Sequence, residues 1–261
     1  MQSRFLFIPL CLVMINQQVR DILLHNAAQY ETTAFLSGDP SWFMHQVTGS
    51  ANQEAIAFVA SCLSYGNRKQ FMPKIDFIMR CSNGDPDQWI CNGYFRSHFM
   101  QYDKSCFYRL YTHADMFCLF SAYQQMLQEY GSLKDYVRSN AATGIEAVEC
   151  ICAYFTKKGS GGIIPKDATS PCKRICMFLR WMVRDSSPVD LGLWADFIDR
   201  RTLIIPLDTH VLQQSVALGL LKGKTTSMSV AQRLTRQLAE VFPEDPLLGD
   251  FALFGYGVNA V

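Results

Sequence analysis

A lysine and an aspartate in the C-terminal half of the sequence have the types and positions for nucleophilic chemistry on a sugar. Lys173 falls in the first turn of a helix predicted to begin with Ser170 as its N-cap, where the helix dipole disfavours a positive charge. Burial and that dipole would both lower the pKa of the lysine, so that a neutral amine becomes available as a nucleophile. An exposed lysine whose stem bends toward solvent explains the same residue type, and is the commoner situation.

The aspartate lies at the start of the next predicted helix. Asp208 precedes a helical pattern that ends at Gly219, and helix capping alone would explain a carboxylate there. A carboxylate held by backbone N–H groups stays ionised. It can then take a proton from an ammonium or stabilise a developing positive charge on a sugar. His210 follows in the first turn as a candidate base or ligand, although such a histidine is more often a surface or packing residue.

Helical periodicity dominates the chain that must position these two residues. Ile56, Val59, Ala60 and Leu63 share one face of a helix that ends before Gly66. Similar apolar stripes run through residues 116–130, 145–155, 171–184, 209–218, 230–242 and 246–255. Residues 203–205 are the one candidate strand, truncated by a proline. The pattern predicts an all-α protein of about ten short helices.

The order of these elements resembles the helix-hairpin-helix superfamily of DNA glycosylases. The shared features are a helix-opening lysine, an amphipathic helix and the sequence Leu-Asp-Thr-His-Val at residues 207–211. The resemblance implies that Lys173 attacks the sugar C1′ of a damaged nucleotide and forms a Schiff base. It also implies that Asp208 supports deprotonation and stabilises the oxocarbenium-like transition state. The expected fold is therefore an all-α, glycosylase-like bundle.

Two departures from the usual superfamily pattern identify the nearest branch. Residues 167–172 contain no glycine where typical members carry a Gly-x-Gly hairpin, and the lysine-to-aspartate interval of 35 residues is long. A degenerate hairpin and a long interval are features of the archaeal-type 8-oxoguanine DNA glycosylases. The chain also resembles a bacterial family known only as a domain of unknown function, through residues 63–69, 172–194, 205–220 and 250–257.

The resemblance further implies a base pocket and a surface for DNA. Asp250 and Phe254 are four residues apart and share one helix face, where they would contact the edge and the face of the flipped base. A capped helix with a core phenylalanine explains the same two residues. Tyr65, Asn67 and Arg68 occupy the position of the loop that fills the gap in the duplex, although a plain helix–helix turn explains them too. The candidate phosphate contacts are Ser170, Arg174, Arg180, Arg184, Lys222 and Lys224.

The distribution of charge is less even than the net charge of +1 suggests. The total excludes a uniformly basic, histone-like protein. Residues 151–236 nevertheless carry an excess of seven positive charges, whereas residues 237–261 carry four acidic groups and no basic ones. A basic stretch beside an acidic tail is compatible with a polyanion-binding face, and equally with an ordinary solvated helix surface.

The ten cysteines argue for a reduced protein. None has the C-x-x-C spacing typical of zinc or redox sites, and none follows Cys176. Many fall in apolar helical patterns, where a free cysteine behaves as a small hydrophobe. We expect a cytoplasmic protein without a metal or another cofactor.

The N-terminus has three interpretations. Residues 5–15 form an apolar run that is too short to span a bilayer and lacks a signal-peptide cleavage site. An upstream extension before a natural start at Met14, or a helix packed on the core, is favoured over export. Residues 16–261 are expected to form one monomeric unit of two helical lobes with a cleft between them.

The function expected from the sequence is base-excision repair of DNA. The enzyme would be a glycosylase with associated β-lyase activity that removes an oxidised purine such as 8-oxoguanine from double-stranded DNA, with no membrane partner. Action on another lesion or only on abasic sites is an alternative within the same chemistry. A non-catalytic DNA-binding module of the same fold and a helical protein-interaction domain are alternatives from other classes.

Overall fold

Side-chain caps and glycines set the helix boundaries of this chain. The computed structural model describes residues 15–160 and 162–259. These contain α1 (Gln17–Tyr30), α2 (Ser50–Leu63), α3 (Arg68–Cys81), α4 (Pro86–Cys91), α5 (His113–Tyr130), α6 (Leu133–Asn140), α7 (Gly144–Lys158), α8 (Lys173–Val183), α9 (Thr209–Ala217), α10 (Met228–Ala239) and α11 (Leu248–Asn259). Short 3₁₀ segments lie at Thr33–Leu36, Pro40–His45, Tyr94–Ser97 and Arg200–Thr202, and two strands, β1 (Cys106–Tyr108) and β2 (Tyr111–Thr112), form a hairpin.

Helix α7 illustrates how local sequence fixes an element. The Thr143 hydroxyl accepts the backbone N–H of Glu146, and the Glu146 carboxylate accepts the backbone N–H of Thr143. This reciprocal capping box satisfies donors that the first turn would otherwise leave without partners. At the other end Gly159 adopts a left-handed backbone conformation with φ of 80°, which ends the helix and lets the chain change direction. The helix is therefore bounded by its own sequence at both ends.

The prediction of a mostly helical protein is confirmed, and the predicted strand is not. Residues 203–205 are extended but pair with no strand among the described residues. The two short strands lie instead at Cys106–Tyr108 and Tyr111–Thr112, paired antiparallel. Each is too short to show a period-two pattern, which explains why sequence periodicity did not reveal them. No described helix has the length and apolarity needed to cross a membrane.

The buried apolar side chains form two clusters, and residues 203–205 run from one to the other. The larger cluster collects side chains from α2 to α8, and the smaller one packs α1, α9, α10 and α11 together. Leu203 belongs to the larger cluster, Ile205 to the smaller one, and Ile204 packs against both. Helices α8 and α9, which carry Lys173 and Asp208, therefore belong to different clusters.

A buried carboxylate organises the larger cluster. The Glu54 side chain of α2 is buried and accepts the backbone N–H groups of Leu133 and Lys134 at 3.0 and 3.2 Å. It also accepts the indole N–H of Trp194 at 2.9 Å. Glu54 therefore caps α6 from another helix and ties the segment after α8 to α2.

We expect Glu54→Gln to flatten the pH dependence of stability. Burial raises the pKa of Glu54 to about 7 from its ordinary value of 4.5. The folded state therefore holds this proton more tightly than the unfolded chain. The free energy of unfolding of the native protein should therefore fall by about 3 kcal/mol as the pH rises from about 4.5 through about 7. Glutamine keeps a carbonyl acceptor and does not titrate. Urea denaturation of both proteins across this pH range measures the difference. Equal losses of stability in the variant and the native protein would contradict the expectation.

Residues 1–14, on which the interpretations of the N-terminus depend, lie outside the described residues.

Candidate active site

The first residue of α8 and the N-cap of α9 meet at one place. The Lys173 Nζ lies 3.6 Å from Asp208 Oδ2, although the two residues are far apart in sequence. Asp208 Oδ1 accepts the backbone N–H of Val211 at 2.9 Å, which caps α9 and fixes the orientation of the carboxylate. One oxygen therefore holds the helix while the other faces the lysine amine.

Both members of this pair are accessible from solvent. The Lys173 side chain is 30% exposed and the Asp208 side chain 35% exposed. A substrate atom can therefore approach the amine without unfolding the surrounding helices. A nucleophile beside a carboxylate that can accept its proton is the arrangement required for amine-based covalent catalysis.

The start of α8 differs from the sequence prediction. Ser170 is not its N-cap: that position is Cys172, which has φ of 44° and ψ of 37°, and Lys173 opens the helix. The left-handed backbone at Cys172 turns the chain sharply before the helix, so Ser170 lies outside it in the preceding turn. The prediction that Ser170 caps α8 is therefore wrong. A phosphate bound at this serine would not sit at the N-cap of α8.

Asp250 lies beside the Lys173–Asp208 pair but already has a partner. The Arg180 guanidinium donates from Nη1 to Asp250 Oδ2. Burial raises the pKa of Asp250, and the negative charge of Asp208 raises it further, whereas Arg180 and Lys173 oppose the shift. The carboxylate therefore lies within electrostatic reach of both candidate catalytic residues.

Phe254 lies one turn further along α11 in an aromatic cluster. Its ring makes edge contacts with the rings of Tyr30 and Phe35 at centroid distances of 5.7 and 5.1 Å. The Arg68 guanidinium carbon lies over the ring, 5.8 Å from its centroid. A base that stacked on this face would have to displace Arg68, so the half-buried ring is covered in the structure as it stands.

The turn between α2 and α3 is fixed by its own contacts. The Asn67 side chain accepts the backbone N–H of Lys69 at 2.9 Å and so caps α3. Arg68 pairs with Asp39 at 3.4 Å, and its side chain remains half exposed. The Tyr65 hydroxyl donates to the Tyr108 carbonyl at 3.3 Å. The exposed residues of this turn that remain available to a partner are Gly66, Asn67, Arg68 and Lys69.

The apolar pattern of the sequence does not reveal the hairpin that packs on this turn. Its tip residues are Arg109, with φ of 51°, and Leu110, which is 83% exposed. A side chain at Gly66 would place its Cβ 2.6 Å from Arg109 Nη1, and the glycine itself has φ of 80°. The backbone conformation therefore favours glycine there, whereas the flexible Arg109 side chain could move away from a Cβ. The turn and the hairpin tip form one continuous surface.

Arg174 ties α8 to this surface instead of facing solvent. Its Nη1 donates to the Cys62 carbonyl at 2.7 Å and to the Tyr111 hydroxyl. The guanidinium carbon also lies over the rings of Tyr65 and Tyr111, 5.5 and 5.8 Å from their centroids. The partly buried guanidinium is thus engaged by protein groups, and a contact with phosphate stays a prediction for Arg174.

Arg180 and Arg184 are inside the protein, so the prediction that they contact phosphates is corrected. Their exposed fractions are 4% and 1%. Arg184 pairs with Asp190, with Asp245 at 2.8 Å and with Glu31 at 2.6 Å, and Arg180 pairs with Asp190 and Asp250. Duplex DNA cannot reach these groups. Asp245 and Asp250, which belong to the acidic segment 237–261, thus neutralise two arginines of the basic segment 151–236 inside the fold.

Lys222 and Lys224 are exposed in the loop between α9 and α10. The backbone N–H of Met228, at the start of α10, donates to the Thr169 carbonyl at 3.4 Å. This loop therefore ends beside the segment that precedes Lys173. Of the basic residues predicted to contact DNA, Arg68 and these two lysines remain accessible.

Within residues 15–160 and 162–259, no group of three or more histidine, cysteine or acidic side chains is arranged to hold a metal ion. A model of the family described as "Protein of unknown function (DUF2400)" matches residues 39–259, which include the whole candidate site. No curated protein and no solved structure matches the chain significantly.

Proposed function

We propose that this chain, which belongs to the DUF2400 family, is a DNA glycosylase with associated β-lyase activity of the helix-hairpin-helix type. Its substrate would be an oxidised purine such as 8-oxoguanine in double-stranded DNA. The observation that carries the proposal is the 3.6 Å approach of the Lys173 amine to the Asp208 carboxylate, each at a helix N-terminus. The mechanism needs no metal or other cofactor.

The covalent step uses these two residues in turn. Lys173 gives an ammonium proton to Asp208, and the resulting amine forms a C–N bond to the sugar C1′ as the glycosidic bond breaks; the base leaves with that electron pair and takes the proton from Asp208. The secondary ammonium so formed gives a proton, again through Asp208, to the ring O4′ as the C1′–O4′ bond breaks, which leaves a protonated Schiff base. Removal of a C2′ proton then expels the 3′ phosphate, and water releases the lysine.

Asp208 is suited to the proton transfers of this sequence. Its Oδ2 lies near Lys173, whereas its Oδ1 is held by the Val211 N–H. A carboxylate at this point also stabilises the positive charge that develops on the sugar during departure of the base.

Asp250 and Phe254 support the assignment of a base pocket. Arg180 fixes one oxygen of Asp250, and the carboxylate lies close enough to Asp208 for their charges to interact. An oxidised purine offers N–H groups along its edge, which a carboxylate accepts well. Stacking on Phe254 would follow movement of Arg68, which an approaching phosphate can attract away from the ring.

The surface around the turn 65–68 suits a duplex. Arg68 lies in the turn and Arg109 at the tip of the hairpin that packs on it, and both are exposed. Leu110 projects from the same tip. Basic side chains contact phosphates, whereas an exposed apolar side chain can enter a base step that has been unstacked. Lys222 and Lys224 extend the basic surface on the side of α10.

The proposal is tested with a duplex that contains one 8-oxoguanine. We expect strand scission at the lesion and none in the undamaged duplex. Scission of an abasic duplex alone would restrict the activity to the lyase step. Binding with a steep salt dependence and no scission of any lesion would instead identify a non-catalytic DNA-binding module. Neither binding nor scission would overturn a role on DNA.

We expect Asp208→Asn to slow base removal by a factor of about 10² to 10⁴, the range typical of a lost general base. Asparagine keeps an oxygen that can cap α9, so the helix should remain in place. Single-turnover rates on the lesion duplex measure the effect. Thr143→Ala removes the side-chain cap of another helix, α7, and controls for a general loss of stability. Equal rates for Asp208→Asn and the native protein would remove Asp208 from the mechanism.

A further inference from the structure

Three cysteines surround the start of α8. Cys152 of α7 and Cys172 are 0% and 3% exposed, and their sulfur atoms are 4.0 Å apart. The Cys172 Sγ also lies 3.3 Å from the Asp167 carbonyl and 3.4 Å from the Ser170 hydroxyl. Cys176 lies one turn into α8, where its thiol donates to the Pro171 carbonyl at 3.6 Å. The Cys152 and Cys172 sulfurs are thus in direct contact, and Cys176 is engaged elsewhere.

The contact between Cys152 and Cys172 is suited to conversion into a bond. A disulfide has an S–S length of about 2.05 Å, so the two sulfurs must approach by about 2 Å. Cys152 is fixed within a helix, whereas Cys172 ends the segment 162–172, which contains turns and bends but no helix or strand. The movement would therefore fall on Cys172 and on the residues joined to it.

We propose that Cys152 and Cys172 form a reversible disulfide that displaces Lys173 and switches off the candidate active site under oxidation. Formation of the bond is independent of the function proposed above, whereas its effect on catalysis rests on that function. The oxidant is a peroxide.

The chemistry balances with hydrogen peroxide as the oxidant. The Cys172 sulfur attacks one peroxide oxygen, the O–O bond breaks, and water leaves after taking up a proton. The Cys152 thiol then attacks the resulting sulfenic acid, the S–O bond breaks, and a second water leaves. Two electrons pass from the two sulfurs to the peroxide.

The environment of the two thiols assigns their order. The contact between the two thiols lowers the pKa of Cys172 and raises the pKa of Cys152. Cys172 ends a segment of turns and bends and contacts the Ser170 hydroxyl, so it is placed to attack first, whereas Cys152, held within α7, resolves the sulfenic acid. Burial raises the pKa of Cys176, which takes no part in the formation of the disulfide.

The switch acts through the peptide bond between Cys172 and Lys173. Lys173 is the first helical residue, and its amine lies 3.6 Å from Asp208. A displacement of about 1 Å in a catalytic group can reduce a rate about a hundredfold. A shift of Cys172 toward Cys152 is large enough to separate Lys173 from Asp208 to this extent.

A non-reducing peptide map of the full chain after peroxide treatment tests the bond. We expect a peptide that links Cys152 to Cys172, and its loss after dithiothreitol. Cys152→Ser should abolish the link, whereas Cys176→Ser, the matched control, should retain it. Because the map is read first on the native protein, folding of the variants does not decide the result. Oxidation confined to the exposed Cys106, or a link to another cysteine, would overturn the proposal.

The effect on the site is measured separately by base removal from a lesion duplex. Peroxide should lower the rate about a hundredfold in the native protein, and dithiothreitol should restore it. Cys152→Ser should keep its rate in peroxide. A mapped disulfide with an unchanged rate would overturn the switch alone. A mapped disulfide in a protein that never removes a base would instead count against the function proposed above, and the switch would fall with it.

Discussion

Lys173→Ala is expected to abolish the covalent adduct that borohydride traps between this protein and a duplex containing 8-oxoguanine. Borohydride reduces a Schiff base to a stable amine, so the adduct reports directly on the lysine that formed it. Removal of a covalent nucleophile typically lowers a rate by a factor on the order of 10³ or more. The side chain is partly exposed and opens a helix, so its truncation should leave the fold intact.

The control for this experiment is another lysine of the same region. Lys166 is exposed and lies in the loop before α8, and Lys166→Ala should yield as much adduct as the native protein. Gel electrophoresis after reduction separates the adduct from free protein. An adduct of undiminished yield in Lys173→Ala would assign the nucleophile to a different amine and would remove the proposed mechanism.

Asp190→Ala is expected to lower the free energy of unfolding by about 3 to 5 kcal/mol. The Asp190 carboxylate is fully buried and lies between two buried cations, 3.3 Å from Arg180 Nε and in contact with Arg184 Nη1. Its loss leaves positive charge inside the protein without this partner. The large effect arises from that uncompensated charge and from the cavity, and it does not measure the net strength of the pair.

An exposed ion pair supplies the comparison for Asp190. Asp76 and Arg80 form an i, i+4 pair on α3 at 3.0 Å, with side chains 51% and 72% exposed. Asp76→Ala should lower stability by no more than about 1 kcal/mol because water and salt screen the pair. Chemical denaturation of both variants measures the difference. Similar small losses in the two would show that the buried arginines relax into solvent or find other partners.

The helices and the Lys173–Asp208 pairing could be anticipated from the sequence for different reasons. Apolar periodicity and capping residues are local signals, so the helical class and segments such as α5 and α7 follow from short windows. The closeness of Lys173 and Asp208 depends on tertiary structure. It was anticipated through the resemblance of the motif order to a known superfamily.

The misplaced arginines show where local signals end. Besides the nearby Asp190, Arg180 and Arg184 have partners 70 and 61 residues away at Asp250 and Asp245, and this distant half of the cluster has no local signal in the sequence. Arginine is seldom fully buried, and a sequence argument therefore places it on the surface. The start of α8 was missed for a related reason: a left-handed cysteine is uncommon, and Ser170 with a following proline offers a more usual start.

The pairing of Arg180 with Asp250 limits how the specificity of this protein could be redesigned. Asp250 faces the proposed base pocket and is also, together with Asp190, a counter-ion of the buried Arg180. A neutral residue introduced at position 250 to favour another base would leave that guanidinium short of negative charge. Variants that alter base preference there should be tolerated mainly when Arg180 is replaced in the same step, for example by methionine, which has a similar length. Positions 180 and 250 would then have to be changed together.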